Sequence, residues 1–112
     1  SGENGVMADK MSIDPFHFKI VREGMRQGVL IGTASGLNVP YVEVGAKTGT
    51  AELGISKTYV NSWVTGFFPY DDPKYAFVGI MEHGPRANVY GATFVMRELL
   101  DWMHIYAPEY LK

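Results

Sequence analysis

Cysteine is absent from this chain, so no disulfide and no thiolate metal site can be built from its residues. No apolar run approaches the roughly 18 residues that a membrane-spanning helix needs, and nothing at the start reads as a signal peptide. Charge is sparse and balanced, at 20% charged residues and a net charge of -2. With no basic face to release counterions, nucleic acid is disfavoured as a partner. What the chain does have is a 46% apolar fraction over 112 residues, enough for one modest core. Its 13 glycines are many for a helical protein and suit a sheet with close backbone approaches.

Residues 1–13 are polar and without period, and read as a linker or disordered terminus. Asp14-Pro15 then starts a helix, with an acceptor at the N-cap and proline at the first helical position. Phe18, Val21, Met25 and Val29 give it an apolar stripe, and Gly32 supplies the stop. Tyr41 to Ala51 alternates as a strand, with Val42, Val44, Ala46, Thr48 and Thr50 on one face and Glu43, Gly45, Lys47 and Gly49 on the other. Gly54 to Asn61 reads as a polar connection. Trp63 to Phe68 and Tyr75 to Met81 read as two further strands, joined by the turn chemistry of Asp71-Asp72-Pro73-Lys74. The aromatics Trp63, Phe67, Phe68, Tyr75 and Phe77 are taken as sheet core. His83-Gly84-Pro85-Arg86 is expected to break the third strand. Asn88 can cap a last helix with Ala92, Met96, Leu99, Met103 and Tyr106 as its buried stripe, ended by Pro108. The order helix, three antiparallel strands, helix predicts an α+β fold, and residues 14–112 read as one unit.

The most specific feature is Val44-Gly45-Ala46-Lys47-Thr48-Gly49-Thr50-Ala51-Glu52. A phosphate loop is excluded, because Ala46 and Tyr41 stand where that motif needs glycines. Taken alone, Lys47 is a solvated strand lysine, Thr48 and Thr50 are β-formers, and Gly49 marks a bulge. His17, His83 and His104 have no metal-ligand spacing. Glu52 and Glu82 are lone carboxylates, which leaves general acid/base work unsupported.

A Lys-Thr-Gly on a β-strand is one of three motifs shared by active-site-serine penicillin-binding proteins and β-lactamases. In its context here, from about Asp14 to Trp102, the chain resembles the C-terminal part of the transpeptidase domain of a class B, elongation-type penicillin-binding protein. The likeness rests on Val21-Arg22-Glu23-Gly24-Met25, Gly32-Thr33-Ala34, the segment Gly45 to Glu52, Trp63-Val64-Thr65-Gly66-Phe67-Phe68-Pro69 and the strand ending at His83-Gly84. Gly45-Ala46 departs from the Ala-Gly of many relatives. The other two motifs, S-x-x-K and S-x-N, do not occur in the chain.

The resemblance implies a serine D,D-transpeptidase acting on D-Ala-D-Ala stem peptides of peptidoglycan and binding β-lactams, without a cofactor or metal. It implies that Lys47 supplies positive charge and hydrogen-bonds the serine of S-x-N. The Thr50 backbone N–H lies in the oxyanion hole, and the Thr48 and Thr50 hydroxyls bind the substrate carboxylate. Gly49 leaves room for a peptide along the strand. The sheet would have five strands in the family, with two supplied by the remaining part of the domain. The longer protein would be anchored in the cytoplasmic membrane, with this domain periplasmic or extracellular and a glycosyltransferase as partner. Alone, the chain would be inactive, and self-association is expected through the unpaired edge of the Tyr75–Met81 strand. The alternatives left open are a D,D-carboxypeptidase, a β-lactamase, a β-lactam sensor, or a non-catalytic interaction module.

Overall fold

The computed structural model describes residues 14–53, 59–85 and 91–112, and the expected linker at 1–13 and the Asn88 cap lie outside them. The Asp14 carboxylate accepts the Phe16 N–H at 2.8 Å, and with Pro15 following it starts helix α1, Pro15–Leu30. A short 3-10 turn, Ser35–Leu37, and a bridge between Val39 and Val42 carry the chain to the sheet. Strand β1 is Gly45–Leu53, β2 is Tyr59–Phe68 and β3 is Tyr75–Pro85, antiparallel in the order β1-β2-β3. Helix α2, Gly91–Tyr106, and a last 3-10 turn, Pro108–Leu111, complete the α+β architecture.

Register decides what each face of the sheet carries. Ala46 pairs with Gly66 and Thr48 with Val64, so Ala46, Val64 and Phe68 share one face. That face is the core, closed by Val29 of α1 and by Ala92, Met96 and Leu100 of α2. Buried Ser62 on the same face accepts the Ala92 N–H at 3.4 Å and so supplies a cap to the start of α2 from another element. The opposite face holds Lys47, Trp63, Thr65, Val78 and Ile80. It is open to solvent, with Val78 69% and Ile80 64% exposed.

A polar clamp joins the segment before β1 to α2. Tyr41 Oη donates to Asp101 Oδ1 at 2.6 Å, Arg97 reaches both Asp101 oxygens at 3.3 Å, and a second Arg97 nitrogen donates to the Gly36 carbonyl at 3.0 Å. His104 stacks on the Tyr41 ring at 4.1 Å. The hydrogen bond from Tyr41, aided by Arg97, holds the Asp101 carboxyl below its ordinary range. Burial, then the bond to Asp101 and its charge, push the Tyr41 hydroxyl well above its ordinary value.

Several expectations need correction. The first strand begins at Gly45 rather than Tyr41, because Val39 and Val42 bridge each other instead of entering the ladder. Tyr59 to Asn61 belong to β2 and not to a connection. His83, Gly84 and Pro85 continue β3, with Tyr59 opposite Pro85; proline is tolerated on an edge strand, which needs no ladder donor on its free side. In α1, Phe18 and Val21 are exposed, and only Val29 of the expected stripe is fully buried. In α2 the buried line runs Ala92, Met96, Leu100, while Leu99 and Tyr106 face solvent. Of the aromatics only Phe68 is fully buried; Phe67 and Phe77 are half-buried, and Trp63 and Tyr75 are exposed.

The α2 register is directly testable. Leu100→Ala should cost about 2–5 kcal/mol in chemical denaturation, and Leu99→Ala less than about 1 kcal/mol. Similar losses for both would overturn the helix orientation. The clamp sets a pH window. A depressed Asp101 contributes stability above its unfolded value, near pH 4, and loses it as pH falls further; a raised Tyr41 contributes below about pH 10 and loses it above. Thermal unfolding should therefore show a smaller acid decline in Asp101→Asn and a smaller alkaline decline in Tyr41→Phe than in the native chain.

Candidate functional site

The Lys47–Thr50 segment lies in β1, which among the described residues has a partner strand on one side only. Three backbone contacts fix which groups face outward. The Val44 carbonyl accepts an N–H from Arg26 of α1 at 2.8 Å. The Ala46 carbonyl faces Gly28 of α1, where an added Cβ would stand only 2.8 Å from its oxygen. The Gly45 carbonyl points the other way, against Gly66 of β2. Backbone groups of successive strand residues alternate sides, so the N–H and C=O of Thr48 and Thr50 turn to the free edge. α1 covers this edge as far as Ala46, and Gly28 is what lets it approach so closely.

Side chains divide by face. Lys47 sits opposite Thr65 on the open face and is exposed, whereas Thr48 and Thr50, opposite Val64 and Ser62, project from the other. The structure thus brings Lys47 and the threonines to one edge and not to one face. Gly49 lies opposite Trp63, and a Cβ there would overlap the Trp63 indole. The same pattern recurs with Phe67 over Gly45 and Phe77 over Gly66. Cross-strand aromatics therefore fill the space that each glycine leaves.

One contact was not legible beforehand. Thr33, in the turn after α1, places its Oγ1 2.5 Å from Thr48 Oγ1. Beside Thr33 opens a cavity of about 680 Å³ lined by Gly32, Thr33, Ser35, Gly36, Thr93, Phe94, Arg97, Glu98 and Asp101. The Thr93 Oγ1 in its wall is buried without a hydrogen-bond partner. Trp63 over Gly49 was also missed. Fourteen to fifteen residues separate the members of each pair, and only the hairpin register and the return of the chain from α1 bring them together. Among the described residues no group of His, Asp and Glu could hold a metal ion, and no helix is long and apolar enough to cross a membrane.

The family model of the penicillin binding protein transpeptidase domain matches residues 5–101. No curated protein matches the chain. Among solved structures it is similar to the D,D-transpeptidase domain of a peptidoglycan glycosyltransferase from Eggerthella lenta, at 25% identity and a TM-score of 0.63, covering 77% of this chain and 19% of that one. It is similar to Pseudomonas aeruginosa PBP2 in complex with WCK 5153, at 25% identity and a TM-score of 0.62, covering 83% and 20%. It is also similar to penicillin-binding protein A from M. tuberculosis, an imipenem acyl-enzyme complex, at 28% identity and a TM-score of 0.54, covering 78% and 20%. The chain thus spans about a fifth of the length of these relatives. It belongs to the penicillin-binding protein transpeptidase domain family and fits the class B type.

Proposed function

We propose that the chain is the substrate-binding wall of a peptidoglycan D,D-transpeptidase, with the nucleophilic serine of S-x-x-K and the S-x-N motif supplied from outside it. The observation that carries this reading is a Lys-Thr-Gly-Thr run on the free edge of β1, with the backbone groups of Thr48 and Thr50 turned outward. Acyl transfer from a D-Ala-D-Ala amide develops negative charge on the carbonyl oxygen, and donors already aimed at it lower the barrier. The Thr50 N–H is one such donor, and the N–H of the nucleophile is the second. The stem peptide or a β-lactam lies along the edge as an added antiparallel strand. Its carboxylate takes the Thr48 and Thr50 hydroxyls, and Lys47 adds positive charge and a bond to the serine of S-x-N. The space beside Gly49 is taken by the Trp63 indole, so the approach runs along the outer edge at Thr48 and Thr50 and not over Gly49. The imipenem acyl-enzyme among the structural relatives supports the ligand class.

By the same reading the longer protein is an elongation-type enzyme anchored in the cytoplasmic membrane, with this domain periplasmic or extracellular and a glycosyltransferase as partner. A Helicobacter pylori relative, PBP2, forms a complex with MreC.

The activity test has two parts. The chain alone, incubated with a fluorescent penicillin and run on a denaturing gel, should carry no covalent label, because it holds no nucleophile. A labelled band would show that the nucleophile has been misplaced. In the full-length protein, Lys47→Ala should slow acylation about a hundredfold, the equivalent of roughly 3 kcal/mol of transition-state stabilisation. Lys19→Ala, on the exposed side of α1, should change it little. Equal effects would leave the site without support.

The free edge of β3 has its own consequence. Gly45 turns its backbone to β2, so its partner Phe67 and, two on, Thr65 face β1, and Gly66 and Val64 face β3. Their partners Phe77 and Gly79 face β2, and the backbone groups of Ala76, Val78 and Ile80 face outward, beside the exposed Val78 and Ile80 side chains. Such an edge recruits a strand. The remaining part of the transpeptidase domain takes it in the longer protein, and a second copy takes it when the chain is alone. Sedimentation of the chain at micromolar concentration should show association, which Val78→Pro abolishes by removing an outward N–H and leaving the β2 ladder intact. A monomeric native chain would contradict this.

A further inference from the structure

We infer that Thr33 is a positioning residue for the acyl donor, acting through the hydroxyl of Thr48. The inference rests on the reading of Thr48 as a carboxylate donor. Thr33 Oγ1 and Thr48 Oγ1 stand 2.5 Å apart, which is hydrogen-bond distance for two hydroxyls. Neither hydroxyl is free to drift. Thr48 is fixed in the β1 ladder opposite Val64. Thr33 is held by a turn locked onto the end of α1: the Gly32 and Ala34 N–H groups both donate to the Gly28 carbonyl at 3.1 Å, and Ser35 N–H donates to the Gly32 carbonyl at 3.2 Å. The next residue, Ala34, and then Leu37 are fully buried and anchor that turn in the core.

Each hydroxyl has one proton and two lone pairs. Between two threonines only one proton can lie in the shared bond, so the direction of that bond decides what Thr48 shows to the cleft. If Thr48 donates to Thr33, it presents lone pairs, which a carboxylate repels. If Thr33 donates to Thr48, the Thr48 proton is free and points away from Thr33. A carboxylate only accepts, so its arrival selects the second direction: Thr33 O–H to Thr48 O, and Thr48 O–H to the carboxylate. A donor bonded in this way is polarised and donates more strongly. Thr33 therefore orients the Thr48 proton and strengthens it, without touching the ligand itself. The cavity beside Thr33 leaves room for water at its lone pairs, both of which are free when it donates.

The test uses the full-length protein and two probes, benzylpenicillin and its methyl ester, which lacks the carboxylate. Second-order acylation rates are measured for Thr33→Val, Thr33→Ser, Thr48→Val and the Thr33→Val/Thr48→Val double variant. Thr33→Val, which keeps shape and removes the hydroxyl, should slow acylation by benzylpenicillin about three- to tenfold. Thr33→Ser should restore it to within about twofold, and the methyl ester should react equally with native and Thr33→Val protein. Thr48→Val should slow benzylpenicillin at least as much, and the double variant should be no slower than Thr48→Val alone, since the two groups act in series. If Thr48→Val has no effect, the reading of the strand itself fails. If Thr48→Val slows acylation and Thr33→Val does not, only the present inference fails. Equal slowing of the acid and the ester in Thr33→Val would reveal a purely structural role and overturn it as well.

Discussion

The organisation of this chain depends on one strand being bonded on one side only. β1 pairs with β2 through Gly45, Lys47 and Gly49, and that pairing turns the backbone of Thr48 and Thr50 outward. The free side is not left to chance. α1 lies against its first part, where the Val44 and Ala46 carbonyls meet Arg26 and the bare Gly28. Where α1 ends, the edge opens. An unpaired edge is ordinarily a liability that invites aggregation, but in the function proposed here it is the working surface.

Around this edge the fold acts as a support. The core lies on the same face as the threonines, where Val29, Ala46, Val64 and Leu100 meet, so Thr48 and Thr50 stand in line with its packed residues. The Tyr41–Asp101–Arg97 clamp and the Ser62 cap tie α2 to the approach segment and to β2. On the other face, the Phe67 and Trp63 rings lie over Gly45 and Gly49, while Phe77 covers Gly66 on the core side. The first two rings brace the sheet next to Lys47, and bare glycines are what allow them to do so.

How much of this could be read from the residues depends on the range of each interaction. The strand carrying Lys47–Thr50 was legible because alternation is a local signal, and the helix start at Asp14-Pro15 because capping is local too. The α2 face was misread by one position, Leu99 for Leu100, because alternating spacings of three and four fit both residues until the sheet contacts choose. β3 ran past its expected end because Pro85 was read as a breaker, and whether proline breaks a strand depends on edge position, a property of the sheet. Thr33 against Thr48 and Trp63 over Gly49 were out of reach for the same reason. Their meeting is set by register and by the chain's return from α1, and no spacing rule encodes either.

The most direct measurement of the central claim is a crystal structure of the full-length protein acylated by a β-lactam. The account predicts the ligand laid against the outer edge of β1. Its acyl carbonyl oxygen should lie about 3 Å from the Thr50 backbone nitrogen, with its carboxylate on the Thr48 and Thr50 hydroxyls. An acyl-enzyme whose carbonyl and carboxylate both lie away from β1 would contradict it.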